Sequence, residues 1–153
     1  MFMTAEAVGQ EVKRRLLKLT IAQGAETDIG RVVHLGHKSV SDDMIPFTTV
    51  IEGNEFVDEV KGTLTSTAQQ YVLFAYLPCD ALNPNTAAHA AIRDMKRAIF
   101  RDDDGQPSKY LSPPKGNAIR YMGKDIAPRA DGQSFVLASI NFGVAMVEDL
   151  ANP

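Results

Sequence analysis

The sequence predicts an α+β fold: a mostly antiparallel sheet with an N-terminal helix and a second helix packed on it, in a single domain over residues 1–153. Three observations carry this. In residues 134–147 the even positions read Val136, Ala138, Ile140, Phe142, Val144 and Met146, while the odd ones include Ser139, Asn141 and Gly143. A period of two held this long is one strand with an apolar face and a mixed face, well beyond the usual ~5–6 residues. Two other stretches repeat at helical spacing, Val8, Val12, Leu16, Leu19 and then Ala88, Ala91, Ile92, Met95, Ile99. Finally, the order of elements is helix, strands, helix, loop, strands, with no internal repeat and no linker.

The first helix is expected over residues 4–22. Thr4 caps it, and Glu6 lies in the first turn, where the helix dipole favours negative charge. Lys13, Arg14, Arg15 and Lys18 populate its other faces, and Gly24 stops it. Residues 31–35 read as a short strand, 36–43 as a polar loop and 46–51 as a second strand, after which Gly53-Asn54 opens a turn. Residues 55–62 are acidic and ambiguous. A long strand follows over 64–77, apolar on both faces from Tyr71 onward and closed by Pro78. Asn83-Pro84-Asn85-Thr86 starts the second helix, which runs to about Phe100 with Arg93, Lys96 and Arg97 off its apolar face. Residues 101–116 break every pattern: Asp102-Asp103-Asp104-Gly105 and three prolines leave few apolar residues, so a long exposed loop is expected. A strand over 117–126, a turn over 128–132 and the terminal strand complete the chain.

Composition narrows the function classes. A hydrophobic content of 44% and a charged content of 23% are those of an ordinary globular protein. No apolar run approaches the ~20 residues that span a bilayer, and Met1-Phe2-Met3-Thr4 lacks a signal-peptide pattern, so synthesis in the cytoplasm and no membrane partner are expected. Cys79 is the one cysteine in the sequence, which rules out a disulfide within it and a cysteine-cluster metal site. The net charge of −3, without a run of lysine or arginine, argues against a surface that grips phosphates.

Chemical motifs are sparse. His34 and His37 stand three apart, but they straddle a strand end and Gly36, so the spacing loses the metal-binding meaning it has on a helix. His89 has no sequence partner. Asp102-Asp103-Asp104-Gly105 resembles the start of a calcium loop, yet the twelfth position from Asp102 is Pro113 where such a loop needs glutamate. No phosphate-binding glycine motif or nucleophile elbow is present, and no catalysis, cofactor or metal is expected. The three carboxylates follow a helix C-terminus, the negative end of its dipole, so a cationic partner is expected to face them, within the chain or outside it. Asp102, Asp103, Asp104, Lys109 and Lys115 are the candidate protein-contact residues, in a segment expected to become ordered on meeting a neighbour.

From residue 50 onward a resemblance emerges. A strand ends in Val50-Ile51-Glu52-Gly53-Asn54-Glu55, and an acidic stretch follows. The next strand opens with small polar residues and finishes Val72-Leu73-Phe74-Ala75-Tyr76-Leu77-Pro78. Then come a proline-and-asparagine turn, the amphipathic helix to Phe100, a strand near Ile119-Arg120-Tyr121, a glycine-containing acidic turn and the final strand. Together with the N-terminal helix, this order is similar to that of the tail terminator (minor tail protein U-like) family of long-tailed bacteriophages. The match covers most of the chain as an order of elements with short similar fragments; the prolines of residues 105–116 depart from it.

The resemblance implies a hexameric ring at the head-proximal end of the virion tail. Such a ring caps the tail tube protein, ends tube polymerisation and offers a docking face to the head–tail connector. Genomic DNA would pass through its lumen unread. Two alternatives stand beside it: a head-completion or neck protein of the same virion, and a small cytoplasmic ligand-binding domain or enzyme using His34, His37 and the acidic loop.

Overall fold

The structure, a computed structural model, describes residues 2–37, 42–112 and 116–153. Its first helix, α1, spans Ala5–Leu16, with the Thr4 hydroxyl accepting from the Ala7 N–H at 3.2 Å. After it come β1 (Val33–Leu35), β2 (Phe47–Lys61), β3 (Leu64–Pro78), helix α2 (Pro84–Phe100), β4 (Tyr110–Ser112), β5 (Gly116–Ile126) and β6 (Phe135–Asp149). Among the described residues these strands form one sheet in the order β1-β2-β3-β6-β5-β4, antiparallel throughout except for the parallel β1–β2 pair. The α+β fold with an N-terminal helix and a mostly antiparallel sheet is therefore the one the residue pattern predicts.

Period two decides which face is covered. On β6 the even residues Val136 to Met146 are all buried, and on β3 the odd residues Tyr71, Leu73, Ala75 and Leu77 are buried beside them. The helices lie on this face: Val8, Val12 and Leu16 of α1 join Ala88, Ala91, Ile92, Met95 and Ile99 of α2 in one core cluster with the strand residues. The opposite sheet face carries Gln70, Asn141, Gly143 and Ala145, the mixed positions of the same strands. Aromatic stacking braces both faces, Tyr71 on Phe142 at 5.6 Å within the core and Phe47 on Tyr76 at 4.6 Å on the far side.

Several elements differ from the sequence-based expectation. α1 stops at Leu16 rather than at residue 22, because the chain turns to let Gly30 sit under the helix end. The Gly30 N–H donates to the Leu19 carbonyl at 2.8 Å, and a Cβ at residue 30 would lie 2.0 Å from the Leu16 carbonyl oxygen. A short 3₁₀ turn, Ile21–Gln23, follows and is closed by Gly24 in the left-handed region. Gly53-Asn54 is not a turn. β2 runs through it by means of an irregularity between Glu52 and Glu55, and a second between Val57 and Glu59, so the acidic stretch becomes the outer half of a 15-residue strand. Extra unpaired residues of this kind kink a strand without ending it.

Residues 101–112 are also not a free loop. Arg101 bridges to Pro107, the Asp102 N–H donates to the Gln106 carbonyl at 2.8 Å, and Leu111 is only 2% exposed in the core. Arg15 explains the path. Its guanidinium, buried beneath the segment, donates to the carbonyls of Ile99 (3.0 Å), Arg101 (3.1 Å) and Leu111 (3.1 Å), while its Nε donates to Glu11 at 2.9 Å. A cation at the carbonyl end of α2 satisfies both the orphaned acceptors and the helix dipole.

Asp94 does the corresponding work at the other side of α2. Its carboxylate is 1% exposed and accepts from the Thr27 N–H (2.8 Å), the Thr27 hydroxyl (2.6 Å) and the Glu26 N–H (3.1 Å). Next to it Glu26 accepts from Arg93 (two bonds, each 2.9 Å) and from Arg97 (2.7 Å). Two predictions follow from this joint. Asp94→Ala leaves two N–H groups and a hydroxyl unpaired where a buried carboxylate stood, so unfolding in urea should show a loss of about 2–4 kcal/mol. Hydrogen bonds from Arg93 and then Arg97 hold the Glu26 carboxyl at about 2, below its ordinary 4.5. A depressed folded-state value contributes stability that is present above the unfolded value and lost as pH falls through the folded one. The urea midpoint should therefore decline between about pH 4.5 and 2, and Glu26→Gln should flatten that decline.

Candidate assembly surface

The helices cover only part of the sheet. Beyond Ile51 every residue of β2 is exposed, and the hairpin formed with β3 projects past the core. Phe56, Val57, Val60 and Leu64 on this hairpin, with Val147 and Leu150 at the end of β6, are about half exposed, a concentration of apolar side chains at one end of the molecule. The pairing places Val57 and Val60 on the helix side of the sheet, opposite Thr67 and Thr65, and Phe56 on the far side, opposite Ala68. On that far side the sheet curls into a trough of about 800 Å³, floored by Ala68, Gly143 and Ala145 and walled by Phe56 and Met122.

The sheet also leaves two edges open. β1 covers β2 only from Thr48 to Val50, with the Gly36 N–H adding a bond to the Val50 carbonyl at 2.8 Å. From residue 51 to 61 the outer edge of β2 has no main-chain partner among the described residues. At the other side β4 covers β5 at Ala118 and Gly116, and the Ile119 N–H donates to the Lys109 carbonyl at 2.8 Å. Residues 120–126 of β5 then form a second open edge among the described residues. The two edges differ in sign. Residues 51–61 carry Glu52, Glu55, Asp58 and Glu59 against Lys61, whereas 120–126 carry Arg120 and Lys124 against Asp125. Lys96 adds a further cation there, its ammonium 4.8 Å from the Tyr121 ring centre.

The contact residues expected from the sequence are placed as follows. Asp103 meets its cations within the chain: Lys18 Nζ, just past the end of α1, at 2.9 Å and Arg14, on α1, at 3.1 Å. These bonds hold its carboxyl below the ordinary range, Lys18 contributing most. Asp102 turns into its own loop, accepting from the N–H groups of Gln106 (2.8 Å) and Asp104 (3.0 Å), while Asp104 is exposed. Lys109 is exposed, with its ammonium 5.7 Å from the Tyr110 ring centre. Lys115 lies outside the described residues. Asp103 thus has its cationic partners within the chain, Arg14 on α1 and Lys18 just beyond it.

The histidines come closer than their spacing suggests. The His34 ring meets His37 edge-on at 5.2 Å and Phe47 at 5.7 Å. Burial, then His37 and Lys13, lowers the His34 basicity below that of a free imidazole. Among the described residues no group of three metal-ligating side chains converges. Among them, too, no helix is long and apolar enough to cross a membrane.

The sequence reading missed the open edges because a strand's partners are not written in its own residues. One signal was available: the β-favouring residues Phe56, Val57 and Val60, interspersed with charged ones, suit an exposed strand better than a loop. The Asp103 contacts yield a prediction. Since Asp103, Arg14 and Lys18 are all largely exposed, Asp103→Lys should lower stability by no more than about 1 kcal/mol in thermal or urea unfolding. No protein-family model matches the chain, and no curated protein matches it significantly.

Proposed function

We propose that this protein is a structural component of a phage virion that assembles into a ring, caps the tail tube, ends its polymerisation and joins tail to head. The order of elements resembles that of tail terminators. The observation that carries the reading is a sheet with two open edges of opposite charge and an apolar hairpin end outside the core. A lone soluble domain is poorly served by such a surface, since unpaired edges and exposed apolar strands invite association. A subunit of a ring needs both, because a head-to-tail contact joins two different surfaces of the same chain. The function is then steric and associative, with the acidic chain suited to let DNA pass without holding it.

Electron microscopy and native mass spectrometry of the purified protein test this. The expected result is a six-fold ring. The protein should also cap purified tail tube subunits, so that tubes grown with it are shorter and carry a ring at one end. A protein that stays monomeric at high concentration, or that forms a twelve-fold ring, would overturn the reading. Rings that ignore the tube but bind a connector would instead support the neck-protein alternative.

A further inference from the structure

We infer that neighbouring copies join by pairing the open edge of β2 on one copy with the open edge of β5 on the next, in a register set by charge. This rests on the ring reading and specifies its interface. Strand direction permits it. β2 and β5 run opposite ways, since three antiparallel steps separate them through β3 and β6. A rotation about an axis along the strands preserves direction, so β2 of one copy meets β5 of the next antiparallel, and the helix-covered faces stay on one side.

The residues then fall into a single register. Glu55 lies opposite Lys124, Phe56 opposite Gly123, Val57 opposite Tyr121 and Glu59 opposite Arg120. Asp58 and Met122 both sit at irregularities and fall on either side of the Val57–Tyr121 pair, so each strand skips one residue next to that pair. Sheet faces agree at every pair. Glu55 and Val57 are opposite Gln69 and Thr67 of β3, and Tyr121 and Lys124 opposite Phe142 and Ile140 of β6, all on the helix side. Phe56, Glu59, Arg120 and Gly123 are on the other side. Pairing stops at Arg120, because the Ile119 N–H is already bound to Lys109.

The register requires a slide along the strands. Phe56 is level with Ala145 on β6, through Ala68, whereas Gly123 is level with Asn141, four residues away. Strands tilted as in a closed barrel shift by about one to one and a half residues each, or about four to six over the four strands of one copy. The offset is therefore of the size that closure of repeated copies needs. The symmetric alternatives are disfavoured by charge. Pairing β2 with β2 would set Glu52, Glu55, Asp58 and Glu59 against their own copies, and β5 with β5 would oppose Arg120 and Lys124 to theirs.

Charge reversal and cross-linking test this in the full chain. Glu55→Lys or Lys124→Glu alone should raise the concentration at which rings form by about tenfold or more. The double variant should recover much of the loss. With Cys79→Ser as background, Glu55→Cys mixed with Lys124→Cys should give disulfide-linked dimers under mild oxidation, and either variant alone should not. Dimers of Glu55→Cys with itself, or single reversals without effect on rings that still form, would overturn the edge pairing while leaving the ring intact. Absence of any oligomer in the unsubstituted protein would overturn both. Circular dichroism and melting of each variant separate loss of assembly from loss of fold.

Discussion

Fifteen consecutive residue pairs, from Leu64 opposite Asp149 to Pro78 opposite Phe135, tie β3 to β6 without a bulge. Every other element takes its position from this ladder. Because the register has no slip, the apolar sets of the two strands fall on one face along their whole length, and one slipped residue would turn both sets over. α2 packs on β6 and α1 on α2, β1 and β2, so the helices can cover only the part of that face where Tyr71, Leu73, Phe142 and Ile140 lie. The ladder outruns the helices. Its far end, with Leu64, Val147 and the hairpin of β2, has no helix to lie under and is left to solvent or to a neighbour.

The helices are held to this sheet by apolar packing and by two buried charges that fix where the connecting segments go. Arg15 reaches from α1 to the carbonyl end of α2 and takes in the Leu111 carbonyl, which draws residues 101–111 onto the core. Asp94 reaches from α2 to the backbone of residues 26 and 27 and fixes the return from α1 toward β1. Each charge is matched by several hydrogen bonds, the condition under which a buried ion is tolerated. The body is thereby cross-braced, and the projecting hairpin is not. Rigid body and bare edges together suit a subunit whose partner supplies the missing strands.

The edges carry their own safeguards. Irregularities in β2 and β5 and acidic residues along β2 discourage indiscriminate pairing, as natural edge strands do. In the contact proposed above, the same features would select a partner edge of opposite charge that carries an irregularity of its own. In this reading one set of residues prevents random aggregation and favours a closed head-to-tail contact. Asp103 meets Arg14 and Lys18 within the same chain.

The sequence by itself determined the local elements whose residues repeat. Val136 to Met146 at period two specify β6 and its buried face, Ala88 to Ile99 specify α2, and Thr4 marks the start of α1, because periodicity and capping are properties of neighbouring residues. It did not determine where α1 ends, since that depends on Gly30 arriving from a later segment. Nor did it determine that Gly53-Asn54 continues a strand, because only the partner β3 can hold an irregular strand extended. The path of residues 101–111 was equally hidden: it rests on Arg15, 86 positions before Arg101 in the sequence. The open edges are the clearest case. Whether a strand's hydrogen bonds are satisfied depends on which strands fold beside it, so only the tertiary structure leaves residues 51–61 and 120–126 without a neighbour among those described.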